Sequence, residues 1–413
     1  MNALALTAEP TLAAPKAVPA LPGVLHVKVL KDLAAAKVPW LDLERDGIST
    51  PYQHFAWVSC WYECIGKPAG VKPHVVLGED MTGRAVFLLP LGSVRIGPLT
   101  VARFMGGKHS NANLGLWRRD YAASFTGERL ASLLAEVGKA DASVDLLVLL
   151  NQPESWGGIA NPLASAPSQP SPSFMYRGPL AESFDDLMRD RVSSSTRKKL
   201  RQKERALSKH GEVRYWRAEA VADRRRVLDA FFAQKAERMR ELGLPNAFEE
   251  PHVRQFIEAV ALRDPAHPAA SSVALFAASA GDTIVATFAG LESNGRLSGM
   301  FNSMISGELA HHSPGELLLA NVVRFCCERG MTTFDLGIGE AHYKKTFCSE
   351  AEPLFDSIVP LSMLGRTAAS LWRSYLSVKG GIKRSAPAWR VVAPMRRRLA
   401  GGLHLLKAVS WIG

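Results

Sequence analysis

The sequence predicts a mixed α/β fold, with an α+β type of mixed sheet, arranged as two tandem halves. Three observations carry this prediction. Strand-like and helix-like segments alternate along most of the chain. Residues 157–179, rich in Pro, Ser, Gly and Ala, interrupt that alternation and read as a linker. The 413 residues also exceed what one hydrophobic core usually holds. The expected layout is a disordered leader at 1–23, a first domain at 24–156, the linker at 157–179, a second domain at 180–363 and a basic tail at 364–413.

Composition narrows the function classes. The chain is 47% hydrophobic and 22% charged, which is ordinary for a globular protein. No apolar run approaches the roughly 18 to 20 residues of a membrane span. The leader has no basic start and is broken by Pro10, Pro15, Pro19 and Pro22, so it does not read as a signal peptide, and a cytoplasmic location is expected. Five cysteines at irregular spacing suit neither a disulfide framework nor a metal site, so no metal is expected. Cys326 and Cys327 read as small core residues. The net charge of +11 is uneven: residues 361–413 hold ten Lys or Arg and no Asp or Glu. A second basic run lies between Arg189 and Arg226. Both suit anionic partners such as CoA, a phosphorylated carrier, a nucleotide or a membrane surface, although a solvated face has the same composition.

The first half opens with the apolar run VLHVKVL and a helix over Leu33 to Leu43. Trp57 and Trp61, four apart, share a helical face and read as core, with Gly66 as the stop. Strands are expected at Pro73 to Leu77 and Ala85 to Leu91, then a helix at Ser124 to Val137 and a strand at Val144 to Leu150. The polar loop Met105 to Leu116, with Asn111 and Asn113, and the stretch Asn151 to Trp156 are too polar for packing alone. No internal repeat is visible by residue identity, so a duplication would be one of fold.

In the second half, Phe184, Leu187 and Met188 mark a short helical face. Residues 193–196, three serines and a threonine, cap the basic helix RKKLRQKERALSKHG, which Gly211 ends. A strand at Val213 to Trp216 and a long helix at Arg225 to Leu242 follow, the latter carrying Lys235 and Arg238. Next comes a meander: Val273 to Ser279, Thr283 to Glu292 and Arg296 to Ser303, joined at Gly281-Asp282 and Asn294-Gly295. Pro314 suits the first helical position and Ser313 an N-cap for a helix over 315–329, with Gly330 as its stop. A strand from Thr332 to Leu336, the turn at Gly337 and Gly339, and a short amphipathic segment from Glu340 to Phe347 complete the series. Such a helix N-terminus carries free N–H groups and the positive end of the dipole, which suits a pyrophosphate, as any strand-to-helix crossover does.

The order β-β-β-α-β-α resembles the core of the GNAT N-acetyltransferases. More narrowly, Ser313-Pro314-Gly315 with its leucine run, Phe334-Asp335-x-Gly337-x-Gly339-Glu340 and Tyr343-Lys344-x-x-Phe347 are similar to the cellulose-biosynthesis (CelD/BcsL) branch, over about Phe184 to Pro360. Two-domain, Fem-like members of this superfamily carry a degenerate first half. The resemblance implies two tandem GNAT-like domains, the second binding acetyl-CoA as co-substrate between splayed parallel strands. Met304, Ser313, Pro314, Gly315, Glu316 and Leu317 would hold the cofactor. The acceptor would lie between the halves, near Arg238, Asn111, Asn113 and His311.

Acyl transfer to an amine or hydroxyl requires a base, a polarised carbonyl and a leaving thiolate, and no covalent enzyme intermediate when both substrates are held face to face. Asp335 and Glu340 are the leading candidates for the base, with His311 and His312 behind them, and Asp335 alternatively accepts from backbone N–H groups around Gly337. Tyr343 would protonate the thiolate and Lys344 would bind phosphate or polarise the acceptor. The implied acceptor is a saccharide or lipid-linked saccharide in exopolysaccharide biosynthesis; no DNA partner is expected. Two alternatives stand beside it: a Fem-type transferase using aminoacyl-tRNA, and a non-catalytic anionic-nucleotide receptor on the same fold. The tail, with Trp372, Tyr375, Trp389 and Trp411 among its basic residues, suits an anionic membrane surface, as a peripheral protein on the inner membrane, or a cyclic dinucleotide.

Overall fold

The run VALFAASA, Val273–Ala280, is buried at every position, and a strand with no polar face must be covered on both sides. A computed structural model, describing residues 26–166, 168–263, 273–339 and 344–384, provides that cover. Along this strand Ala274, Phe276 and Ala278 join one core cluster while Val273, Leu275 and Ala277 join another, as a side-chain period of two requires.

Twelve strands form a continuous path within one mixed sheet of 14. In chain order they are β1 (His26–Leu30), β2 (Lys72–Glu79), β3 (Ala85–Ile96), β4 (Leu99–Phe104), β5 (Leu146–Pro153) and β6 (Ser168–Pro179). The second half adds β7 (Val213–Arg217), β8 (Val273–Ala280), β9 (Thr283–Ser293), β10 (Arg296–Met304), β11 (Thr333–Ile338) and β12 (Glu350–Pro360). Their spatial order is β1-β2-β3-β4-β5-β12-β6-β11-β10-β9-β8-β7. Each half is an antiparallel meander, β2-β3-β4 or β8-β9-β10, followed by a strand parallel to its last member, β5 or β11. The halves then exchange strands. β6, which follows β5, pairs with β11, whereas β12, which follows β11, pairs with β5. Neither half completes its sheet alone.

The named helices are α1 (Leu33–Asp46), α2 (Phe55–Trp61), α3 (Gly127–Ala140), α4 (Phe184–Arg191), α5 (Ser194–Leu207), α6 (Val221–Glu241), α7 (Pro251–Ala261), α8 (Pro314–Glu328) and α9 (Met363–Arg384). Caps fix several starts: Thr126 accepts from Arg129 N before α3, and Ser193 accepts from Thr196 N before α5. α5 and α8 lie with Phe276 and Phe288, while α6 and α7 lie with Leu275 and Ala289 on the other core cluster. Trp57 and Trp61 are buried in the core.

Three expectations require correction. Residues 168–179 are not a linker; they form β6 between β11 and β12. Pro170 and Pro172 hid the strand, and the register shift between Pro170 and Phe174 accommodates their missing donors. Residues 363–384 are not a detached tail. Ala369 and Leu376 of α9 are buried with Val101, Leu146, Val148 and Ile358. Ser362 Oγ donates to Asp145 Oδ1 at 2.6 Å, and Gly365 lies so close to the Asp145 carbonyl that a Cβ would collide with it. Ser313, finally, is not a side-chain cap: it is left-handed (φ 51°) and its hydroxyl accepts no capping bond. The leader and the tail beyond Arg384 lie outside the described residues. Among the described residues no helix is long and apolar enough to cross a membrane.

Candidate functional site

β10 and β11 pair only at Arg296↔Thr333, Leu297↔Phe334 and Ser298↔Asp335, then part. At the parting point Asn111, reaching over from the first half, donates to Gly299 O at 3.2 Å and to Tyr52 Oη at 2.9 Å. Gly337 has φ +63°, and a Cβ there would collide with the Asn111 amide, so glycine is needed on both counts. Asn113 lies deeper in the first half, where it accepts from Gln53 and donates to Leu150 O at 2.9 Å. Neither asparagine lines the cleft described below: Asn111 ties the two halves at the seam, and Asn113 is bonded within the first half.

The seam also claims Asp335. It accepts from Arg296 Nε at 2.6 Å, Ser298 Oγ at 2.7 Å and Gly337 N at 3.0 Å, and it is 1% exposed. Arg296 also reaches Glu352 at 3.1 Å and lies 3.9 Å over the Trp156 ring. Burial alone would lower the guanidinium's pKa, but the charges of Asp335 and Glu352 outweigh it and raise the value. A carboxylate held by a buried cation, a hydroxyl and a backbone N–H has no free oxygen aimed at a substrate, so the structure corrects the assignment of Asp335 as the base and favours the backbone-acceptor alternative.

Beyond the parting point, the free end of β10 borders a cleft of about 1210 Å³. One wall is the start of α8, with Ser313, Gly315, Glu316 and Leu319; another is α6, with Gln234, Lys235 and Arg238. Met304 and His311 line it, as do Thr196 and Lys199 of α5. The turn before α8 is shaped by Gly307 (φ 77°) and Ser313, whose carbonyl accepts from Glu316 N at 3.0 Å and Leu317 N at 3.3 Å. Pro314 and Leu317 are buried behind this wall and do not line the cleft. Glu316 is held by Lys203 Nζ at 2.7 Å, which offsets its charge beside the positive helix end.

The floor is polar. Thr287 Oγ1 and Ser303 Oγ are 2.7 Å apart, Ser303 Oγ donates to Gln234 Oε1 at 2.7 Å, and Gln234 Nε2 donates to Ile284 O at 2.8 Å. Beside this chain, Lys235 Nζ lies 3.5 Å from Asn302 O and 5.6 Å from the centre of the Phe248 ring. Burial lowers its pKa. Arg238, by contrast, is paired with Glu241 at 3.0 Å. The sequence places Lys235 on α6, three residues before Arg238 on the same helical face, and that spacing is the available signal for a role. Thr287, Asn302 and Ser303 carried no such signal, because only strand pairing brings them to α6.

Glu340 and Tyr343 lie outside the described residues, and of Lys344 only its place in the single turn Lys344–Phe347 is described. Among the described residues no group of His, Cys, Asp and Glu is arranged to hold a metal ion.

Residues 194–345 match the family model of an acetyltransferase (GNAT) domain. No curated protein sequence matches the chain. Among solved structures, the fold is similar to that of FemX (TM-score 0.53, 11% identity, covering 78% of this chain and 98% of FemX). A tandem GNAT protein from the clavulanic acid biosynthesis pathway aligns at TM-score 0.42 and 15% identity, covering 82% of this chain and 98% of its own. The C-terminal domain of a putative lysylphosphatidylglycerol synthetase from Agrobacterium fabrum aligns at TM-score 0.49 and 10% identity, covering 84% and 97%. The fold is GNAT-like in a two-domain, Fem-like arrangement, and the match to the acetyltransferase domain model falls in the second half.

Proposed function

We propose that this protein transfers an acetyl group from acetyl-CoA to an amine or hydroxyl of a saccharide or lipid-linked saccharide in exopolysaccharide biosynthesis, as in the cellulose-associated branch it resembles. The observation that carries the reading is the cleft between the free end of β10 and the first turn of α8, which offers a helix N-terminus to a pyrophosphate beside a strand edge for the pantetheine arm. The acceptor's nitrogen or oxygen attacks the thioester carbonyl, a C–N or C–O bond forms, the C–S bond breaks, and the acceptor's proton passes to a base. Orientation of the two substrates supplies most of the gain. Lys235 is the base we assign among the described residues: it faces the cleft, and burial favours its neutral form. Glu340 as an alternative base, Tyr343 as donor to the thiolate and Lys344 as a phosphate or acceptor contact stay part of the proposal.

A second reading, a Fem-type transferase using aminoacyl-tRNA, is favoured by the likeness to FemX and by the basic helix α5, whose Lys199 reaches the cleft. Calorimetry separates the two. Wild-type protein should bind acetyl-CoA, and Gly315→Glu, which puts bulk and a negative charge against Met304 at the helix start, should abolish binding. Unchanged affinity in that variant would move the site elsewhere, and no affinity in the wild type would favour the tRNA-dependent reading.

A further inference from the structure

The polar chain on the floor of the cleft has a fixed direction, and the direction decides what it binds. Gln234 is oriented by the Ile284 carbonyl, which accepts from Nε2 at 2.8 Å and leaves Oε1 facing Ser303. Ser303 spends its one hydroxyl hydrogen on that oxygen at 2.7 Å. In the contact between Ser303 and Thr287, also 2.7 Å, Ser303 must therefore accept and Thr287 donate. Both hydroxyl hydrogens are used up inside the protein, so Thr287 and Ser303 turn only lone pairs toward the cleft they line. Thr287 is 2% exposed and Gln234 8%, which keeps bulk water from scrambling the chain.

The chain also lies on one particular side of the sheet. Thr287 and Ser303 are cross-strand partners of β9 and β10. Ser303 is two residues on from Phe301, whose ring centre lies 4.3 Å from that of Phe231 in α6, so both side chains point to the α6 face. Helix α8 packs on the opposite face, with Phe288. The chain thus sits apart from the helix start given to the pyrophosphate and next to Lys235, whose Nζ is 3.5 Å from the carbonyl of Asn302, the neighbour of Ser303. It ends on an amide and a backbone carbonyl, neither of which takes up a proton near neutral pH, so it holds a ligand and does not carry its proton away.

We propose that Thr287, Ser303 and Gln234 are specificity-determining residues that receive an O–H or N–H of the acyl acceptor and set it beside Lys235. A ligand bringing a carbonyl, carboxylate or phosphate oxygen to the same place meets lone pair against lone pair and is refused. This inference rests on the acyl-transfer reading and adds to it the side of the cleft that reads the acceptor and the chemistry by which it does so.

Thiol release from acetyl-CoA by the full chain, with glucosamine as the probe acceptor, tests it. Wild-type protein should show saturable release. Thr287→Val keeps the side-chain shape but puts a methyl where the hydroxyl was; it should raise the KM for glucosamine about tenfold, with kcat and the KM for acetyl-CoA within about twofold of wild type. Thr287→Ser restores the hydroxyl and should restore the KM. Gln234→Met frees the Ser303 hydrogen to point into the cleft and should raise the same KM. Glucose identifies the group received: it should compete with glucosamine if the chain holds a ring hydroxyl, and not if it holds the amino group. No release with glucosamine by the wild type, an unchanged KM in Thr287→Val, or failure of Thr287→Ser to restore it would overturn the inference. So would an equal rise in the KM for acetyl-CoA, because the chain would then serve the cofactor. Calorimetry separates this from the reading beneath it: wild-type protein that binds acetyl-CoA yet fails these tests loses the specificity assignment alone, whereas protein that binds no acetyl-CoA loses the acetyl-transfer reading.

Discussion

In the first half, β4 and β5 pair at Val101↔Leu146 and Ala102↔Leu147 and then part, as β10 and β11 do in the second. There the loop 105–116 turns back into the gap. Asn113 N donates to Asn151 O and its side chain to Leu150 O, both at 2.9 Å, while Ala112 and Leu114 are fully buried beside it. In the second half only the bottom of the gap is closed, by Asn111, and the chain passes from β10 through a short turn into α8, leaving the cleft open. One strand pattern thus yields a filled wedge and an open one. What separates them is the connection after the third meander strand: long and inserted in one half, short and helical in the other. Asn113 in the first half spends its side chain on Gln53 and the Leu150 carbonyl, whereas Lys235, in the second, faces a space of ligand size.

The largest effect should come from the seam that holds the halves together. Arg296→Met leaves Asp335 buried without its cation and Glu352 with only the more distant Arg177, and should cost about 3–5 kcal/mol in urea denaturation. If the seam joins the halves energetically, both should unfold in one shifted transition; a shift confined to the second half would break that view.

Acid should then find the filled half. Burial first, and Lys31 second, hold the His74 imidazole down at about 4 against an ordinary 6.5. The unfolded chain binds the proton more readily between those values, so stability is full above pH 6.5 and falls as the pH drops toward 4. For this histidine the loss amounts to roughly 3 kcal/mol. His109, held down to about 4 by burial and Lys108, acts in the same direction. Denaturation midpoints measured across this range should fall, and His74→Gln/His109→Gln should flatten the slope.

A smaller effect should distinguish the two wedges directly. Asn113→Ala strips partners from Gln53 and from the Leu150 carbonyl, and should cost about 1–3 kcal/mol while leaving acetyl-CoA affinity at the wild-type value. A loss of affinity would mean that the filled wedge shapes the open one. The smallest change in stability is expected for Lys235→Met, which removes a desolvated charge and should raise stability by less than about 1 kcal/mol. Its effect on rate should be large, two to four orders of magnitude for a general base, with the acid limb of the pH profile lost. A variant with the wild-type profile would remove Lys235 from the chemical step.

Local signals decided what the sequence determined by itself. Period-two alternation, turn pairs such as Asn294-Gly295 and caps such as Ser193 act over a few residues, and they located the meander, α5 and α8 within a few positions. The leucine run behind Ser313-Pro314-Gly315 likewise placed a helix start where the cleft now lies. Tertiary structure decided whatever depends on which distant strand lies alongside. Strand exchange made residues 168–179 a central strand despite their prolines, and the helix Pro251–Ala261 and the strand Glu350–Pro360 went unpredicted from local pattern. The burial of Asp335 against Arg296 and Glu352 turned a motif aspartate from a candidate base into a tie between strands, since a carboxylate's chemistry is set by its partners. Lys235 acquired its place by the reverse route, through a helix packed over β10 that leaves it a ring, a carbonyl and an open cleft for neighbours. Sequence fixes which groups are available; their desolvation and pairing are properties of the packed sheet.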